Sequence, residues 1–169
     1  MTLTLVGDLL IEQIDLIVPI IISSADRAAQ VEGYAGALLE ELRSDRAGSF
    51  SRIYREQLWG SGDARGFPFY SGIGSHDKIL VDPYVESLSK YFKSLSSKPH
   101  VVELGCGDFN VSSNFIHLCA KYEGFDVVEE LVKYNQCTHI YDNVSFGICD
   151  LSKGSLPVGD VLVVRQVLQ

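Results

Sequence analysis

Apolar residues fall into two textures along the second half of this chain, and the alternation between them predicts its elements. Residues 101–104 (VVEL), 124–128 (GFDVV), 144–149 (VSFGIC) and 160–167 (DVLVVRQV) are short, β-branched runs bounded by turn residues, the pattern of buried strands. Between them, over residues 111–122 and 129–136, apolar positions recur every three or four residues, as on one face of a helix. Ahead of the first run, Tyr84, Val85, Leu88, Tyr91, Phe92 and Leu95 mark another helix, with Asp82 as its cap and Pro83 at its first position. Strands alternating with helices of about ten residues predict a parallel α/β sheet joined by right-handed crossovers.

The first half has a different texture. Residues 14–22 (IDLIVPIII) carry a dense β-branched run that reads as a strand, although Pro19 has no amide for a ladder; a buried helical turn restarting at Pro19 is the competing reading. From Ser24, a candidate cap, to about residue 43, Ala28, Val31, Ala35, Leu38, Leu39 and Leu42 share one face. Residues 47–78 are rich in glycine, serine and aromatics, with one short helical piece at 51–58. Irregular stretches of this length inside a domain are often lids or ligand loops. Trp59, Phe67, Phe69 and Tyr70 need something to pack on, either the body of the fold or a bound ligand.

Composition narrows the class. With 169 residues, 46% apolar and 21% charged, the chain is one ordinary domain, with or without an extension, and can bury a core. Its formal net charge of -8 gives no general attraction to polyanions, and no run of Lys and Arg marks a local patch, which disfavours nucleic acid as a partner. Cys106, Cys119, Cys137 and Cys149 are widely spaced without a CxxC pair, arguing against structural zinc and for reduced thiols in a cytoplasmic protein. No segment reaches the roughly 18 uninterrupted apolar residues of a membrane span. The apolar start lacks a basic region and is broken by Asp8, Glu12 and Asp15, so it reads as folded structure rather than a leader.

The candidate chemistry is concentrated in residues 101–115, VVELGCGDFNVSSNF. A strand, a turn tightened at Gly105 and Gly107, and a helix start with unpaired amides together make a seat for a nucleotide-like ligand. Three acids stand at the ends of successive strands: Glu103, then Asp126 nineteen residues beyond Gly107, then Asp150. In a parallel sheet such positions line the carboxyl edge, where open α/β folds bind ligands. Asp126 is spaced to accept both ribose hydroxyls, and Asp150 to accept from an exocyclic adenine amine. A nicotinamide and a sulfonium cofactor would both use this seat. The dinucleotide fingerprint asks for GxGxxG, however, and Asn110 stands where its last glycine would fall, hindering close approach of a diphosphate.

VVELGCGDFN resembles motif I of the class I S-adenosylmethionine-dependent methyltransferases, an acid, an apolar residue and GxGxG. Glu103, Gly105 and Gly107 match, and Phe109 takes the third glycine place, a departure shared by a branch of the family with a GCGDF turn. GFDVVEELV resembles the segment bearing the acid after the second strand, ICDLS the adenine side, and DVLVVRQVLQ the fourth-strand motif. Upstream, IYREQLWG and SGIGSHD resemble stretches that precede motif I in the same branch, so the likeness covers residues 50–169. It implies a Rossmann-like parallel sheet of the class I methyltransferase type. The chain then divides into residues 1–46, a largely helical extension; 47–98, a cofactor-capping loop and helix; and 99–169, the cofactor-binding core.

The resemblance also implies S-adenosyl-L-methionine as cofactor. The turn at Gly105 to Asp108, Cys106 and Gly107 included, would contact its methionyl part, with Glu103 as the motif's acid just before it. Asp126, with Val127 beside it, would contact the ribose, and Asp150 with Leu151 the adenine. Arg165 ends the fourth strand beside them, and Trp59, Ser71, Gly74 and Ser75 would close over the amino-acid end. Methyl transfer is an in-line displacement in which positioning does much of the work, and a general base is optional. His76 is the one histidine in the loop and so the one candidate base, against the plainer reading of a polar loop residue; no catalytic residue or metal site is assigned. The acceptor is expected to be a small molecule.

Family members continue past the fourth strand, whereas this chain stops at Gln169, so the core is expected to be incomplete at its C-terminus. Either the chain is a fragment or a homodimer covers the exposed sheet edge. Two alternatives stand beside the methyltransferase: a non-catalytic Rossmann-like module used for assembly, and an NAD-dependent oxidoreductase. Retained cofactor affinity separates the first, and nicotinamide affinity would favour the second.

Overall fold

The four β-branched runs pair into one parallel sheet. Strands β1 (His100–Leu104), β2 (Lys121–Asp126), β3 (Val144–Ile148) and β4 (Val161–Val164) lie in the order β3-β2-β1-β4. This computed structural model describes residues 45–61, 68–151, 153 and 155–166; the strand and helix expected within residues 14–43, and Phe67, lie outside the described residues. The strand order is that of the first four strands of a Rossmann-like sheet. Growth of the sheet reverses at β1, so the crevice outside the carboxyl ends of β1 and β4 is the topological switch point.

Register follows from burial. Val101 pairs with Tyr122 on one side and Val161 on the other, and Tyr122 pairs with Val144. These residues share a face with Glu103, Phe146 and Val163, because side chains alternate along a strand. Leu88 and Phe92 pack into this face together with Val101, Phe115, Tyr122, Phe146 and Val163. Gly124 makes room there: a Cβ would meet the Tyr122 and Phe146 rings at 3.0 Å.

Helix α1 (Arg46–Arg55) begins before the expected 51–58 piece and ends in a Schellman turn. Gln57 takes φ 53, its amide bonds Tyr54 O at 3.2 Å, and the Leu58 amide bonds Ile53 O at 3.0 Å. Helix α2 (Lys78–Ser94) corrects the start expected at Asp82-Pro83. Asp77 caps it by accepting from the Ile79 amide at 2.9 Å, and Val81 of the added turn is buried, continuing the stripe of Leu88 and Phe92. Interior proline costs a helix about 3 kcal/mol; the helix runs through Pro83 nonetheless, its first turn held by the Asp77 cap and the buried Val81.

The helix expected over 111–122 is instead two 3-10 turns, Ser112–Asn114 and Ile116–Leu118, followed at once by β2. Polar side chains there bond the nearby backbone and compete with an α-helix. Ser113 Oγ donates to Asn110 O at 2.9 Å, and Asn114 Nδ2 to Asn110 O at 2.8 Å and to Val111 O at 3.0 Å. Strand β2 therefore starts at Lys121 rather than Gly124. Helix α3 (Glu129–Thr138) stands where expected and buries Leu131, Val132 and Asn135.

Candidate functional site

The glycine turn after β1 has a left-handed backbone at every second residue: Gly105 (φ 75), Gly107 (φ 55) and Phe109 (φ 64). Phe109 thus adopts the conformation that a third glycine would offer freely. The same turn corrects the expectation of free amides. Gly105 and Cys106 both donate to Phe125 O, at 2.7 and 2.9 Å, and Gly107 donates to Asp126 Oδ2 at 3.1 Å. Asp108 donates to Ser71 Oγ at 2.9 Å, Phe109 to Cys106 O at 3.2 Å, and Asn110 to Asp108 Oδ1 at 3.1 Å. Every amide from residue 105 to 110 is spent inside the protein. Among the carbonyls, that of Gly105 has no donor among the described residues.

Asp126 ends β2 and fastens the turn to the following helix. Its Oδ2 takes the Gly107 amide and its Oδ1 the Val128 amide at 3.1 Å, while burial pushes the carboxyl up from its ordinary range against these stabilising bonds. Each oxygen still has a lone pair for a second donor. Asn135, fully buried on α3, donates from Nδ2 to the Gly107 carbonyl at 2.8 Å, and its Oδ1 has no partner among the described residues. A lone amide on an otherwise apolar buried stripe is the sequence signal that marks it, since burying a polar group costs energy unless it is bonded.

A strap, residues 69–76, is bonded to the turn. Asp108 Oδ2 accepts the Ser71 amide at 2.8 Å and lies 2.6 Å from His76 Nε2; Ser71 Oγ lies 3.0 Å from Tyr54 OH. Approach is close enough that a Cβ on Gly107 would fall 2.5 Å from Ser71 Oγ. The strap is also tied from just past β4. Arg165 Nη1 donates to Ser75 Oγ at 3.3 Å and Nη2 to the Gly74 carbonyl, with the guanidinium 5.2 Å from the centre of the Tyr84 ring. Asn110 Nδ2 donates to Ser75 O at 2.6 Å. The described aromatics of this region pack on the fold itself: Trp59 on Tyr54 at 5.3 Å, Phe69 on Tyr54 and Tyr134, and Tyr70 on His76 at 4.4 Å.

One connected set therefore holds Gly105, Cys106, Gly107, Asp108, Asp126, Ser71, Gly74, Ser75 and Arg165, with Asn110, marked in the sequence only as standing in a glycine's place, and with Tyr54 and Asn135, which pattern and spacing did not single out. Trp59 stands at its margin, half exposed. Val127 packs against Tyr54, Val128 and Leu131. Asp150 lies just past Cys149, whose amide bonds Asp126 O at 3.0 Å; its carboxylate meets Lys153 at 3.1 Å and Arg46 at 3.8 Å, and Leu151 beside it is half-buried.

Glu103 corrects the expectation of three acids aligned along one edge. It is 3% exposed on the face covered by α2, where Ser112 Oγ and Tyr122 OH both donate to its Oε2. Burial pushes its carboxyl up to about 7, opposed by those donors and by Arg165. Burial likewise keeps the Cys106 thiol protonated, with Asp126 and Glu103 adding to the effect. His76, the candidate base, is held by Asp108.

The seat fits a ligand that offers a cation at the turn better than one that offers an anion. With its amides spent, the turn has no donor for a phosphate, whereas the Gly105 carbonyl can accept from an ammonium. The Asp126 lone pairs are in the same way acceptors for a hydroxyl.

No protein-family model matches the chain, and none of the curated proteins does. Among solved structures it is similar to magnesium protoporphyrin IX methyltransferase (ChlM) from Synechocystis PCC 6803 with bound SAH, at TM-score 0.47 and 19% identity, covering 71% of this chain and 55% of that one. It is similar to the plantazolicin methyltransferase BpumL at TM-score 0.46 and 18% identity, covering 74% and 48%. It is similar to a dimethyladenosine transferase from Plasmodium falciparum at TM-score 0.39 and 23% identity, covering 49% and 31%. All three likenesses are distant, and this chain spans 31% to 55% of those structures' own lengths.

Proposed function

We propose that this chain is the cofactor-binding part of an S-adenosylmethionine-dependent methyltransferase whose acceptor is a small molecule. The glycine turn carries the reading: its amides from residue 105 to 110 are spent internally, and the Gly105 carbonyl has no donor among the described residues. A diphosphate needs donors at such a turn, so the nicotinamide alternative loses its anchor. The resemblance of residues 50–169 to the family supports the same cofactor.

In this reading Gly105, Cys106 and Gly107 border the methionyl end, Asp126 and Val127 the ribose, and Asp150 and Leu151 the adenine. Ser71, Gly74, Ser75, Trp59 and Arg165 enclose the amino-acid end, and Glu103 supports the turn through Ser112. Bound S-adenosylmethionine supplies an electrophilic methyl group. The chain's own residues bind and orient, and orientation alone can supply roughly 7–11 kcal/mol of a barrier. Residues 1–46 act as an extension, 47–98 as the cap and 99–169 as the core. Four free thiols suit a reducing cytoplasm. No described helix is long and apolar enough to cross a membrane.

Calorimetric titration of the chain and of Asp126→Ala with S-adenosylmethionine, S-adenosylhomocysteine and NAD tests the reading. Saturable binding of the sulfur nucleosides, at least tenfold weaker in the variant, is the expected result. Binding of NAD alone would move the assignment to an oxidoreductase. A folded chain that binds none of the three would support the second reading, a non-catalytic module. That reading is favoured by one observation: Leu162 and Val164 are 42% and 38% exposed on β4, which is an outer strand among the described residues and could pair a second copy.

A further inference from the structure

The strap lies over the place where this topology forms its crevice. Ser71 and His76 of the strap are bonded to Asp108, just past β1, and Gly74 and Ser75 between them to Arg165, just past β4. These two strands flank the switch point. Asp108 is the residue through which the β1 side holds the strap: one carboxylate oxygen holds the Ser71 amide and His76 Nε2, the other holds the Asn110 amide, and its own amide holds Ser71 Oγ. The carboxylate is 8% exposed and the His76 side chain 23%, so solvent competes little for these bonds. Stacking on Tyr70, with ring centres 4.4 Å apart, fixes the imidazole in the orientation that meets Asp108.

We infer that Asp108 and His76 are positioning residues that hold the strap across the crevice between β1 and β4, and that the strap so held is one wall of the cofactor seat. The inference rests on the proposed function for the identity of the cofactor. Ser71 fills the space beside Gly107 and occupies the Asp108 amide, so the turn alone does not define the seat; turn and strap do so together. His76 contributes through Asp108 and needs no contact with reacting atoms.

Trp59 is the chain's single tryptophan and reports on the strap. Its ring lies 5.3 Å from that of Tyr54, whose hydroxyl meets Ser71, and a Cβ on Gly72 would come 3.5 Å from its Cβ. Two measurements on the chain, Asp108→Ala, Asp108→Asn and His76→Ala test the inference: amide hydrogen exchange across residues 69–76, and S-adenosylhomocysteine affinity read by calorimetry and Trp59 emission. In Asp108→Ala the Ser71 amide should exchange at least tenfold faster and the affinity should fall at least tenfold, while unfolding stays cooperative. Asp108→Asn keeps an acceptor for the Ser71 amide and should fall between.

Unchanged exchange in a folded Asp108→Ala would remove Asp108 as the anchor. Faster exchange with wild-type affinity would show that the strap is no wall of the seat. If Asp108→Ala does not fold, His76→Ala, which removes one bond, decides by the same two readings. A wild-type chain that binds no S-adenosylhomocysteine would overturn the proposed function and the wall with it, while exchange would still decide the anchor.

Discussion

The Phe109 ring stands perpendicular to that of Phe146, their centres 5.0 Å apart, while the Phe109 backbone holds a left-handed φ of 64. A bulky side chain in that conformation costs about 1–2 kcal/mol. Burial to 1% exposure among Tyr122, His139, Tyr141 and Phe146 more than offsets it.

From this pair comes an inverted ranking of substitutions. Phe109→Ala should destabilise by about 3–5 kcal/mol through the lost ring. Phe109→Gly should be the more stable of the two by about 1 kcal/mol, because glycine takes the left-handed backbone without strain. Urea unfolding of both variants measures the order; alanine above glycine would mean that the turn relaxes.

Gly107→Ala should destabilise the chain by about 1–3 kcal/mol, since its Cβ would fall 2.5 Å from Ser71 Oγ on a residue at φ 55. Adding Ser71→Gly should recover about 1 kcal/mol of that loss, a coupling expected only of residues in contact. A double-mutant cycle by thermal unfolding reads it. Strict additivity would place the strap away from the turn in solution.

Glu103 makes stability fall as pH rises. Burial, its largest influence, lifts the carboxyl from 4.5 to about 7. Above pH 4.5 the folded chain therefore retains a proton that the unfolded chain has released. The stabilisation is full below pH 4.5 and is lost as pH passes about 7, a span worth about 3 kcal/mol. Glu103→Gln keeps acceptors for Ser112 and Tyr122 without titrating. The difference between wild-type and variant unfolding midpoints from pH 4.5 to 8 should trace this curve, and parallel profiles would refute it.

The four thiols should separate by exposure. Cys137 is exposed, Cys149 half-buried, and Cys106 and Cys119 buried, with burial lifting the Cys119 thiol to about 11. Labelling with a disulfide reagent at pH 8 should show one fast thiol, absent in Cys137→Ser, and two that react only on unfolding. Fast reaction of Cys106 would mean that the glycine turn opens.

Much of the frame was legible along the chain. The four strands are where short β-branched runs of four to eight residues fall, because such a run bounded by turn residues packs on a pleated surface. It is buried throughout in the central β1 and on fewer positions in the outer β3 and β4. Helix limits were less legible. Pro83 looks like a first position by its missing amide, yet Asp77 supplies the cap and Val81 the buried contact. Residues 111–122 carry helical spacing, yet Ser113 and Asn114 bond the nearby backbone and leave only 3-10 turns. The glycine turn was visible; the spending of its amides was not, because Asp126 and Ser71 reach it from distant positions.

The sequence by itself determined the alternating elements, the left-handed places at Gly105 and Gly107, and the nineteen-residue spacing to Asp126. Each of these depends on local periodicity or on one residue's backbone freedom. Only the tertiary structure decided which way each acid turns. Glu103 turns under α2, where Ser112 and Tyr122 take it, while Asp108 turns toward Ser71 and His76, 37 and 32 residues away along the chain. Which way a carboxylate turns is set by the donors that folding brings beside it, and no pattern of neighbours in the chain encodes their arrival.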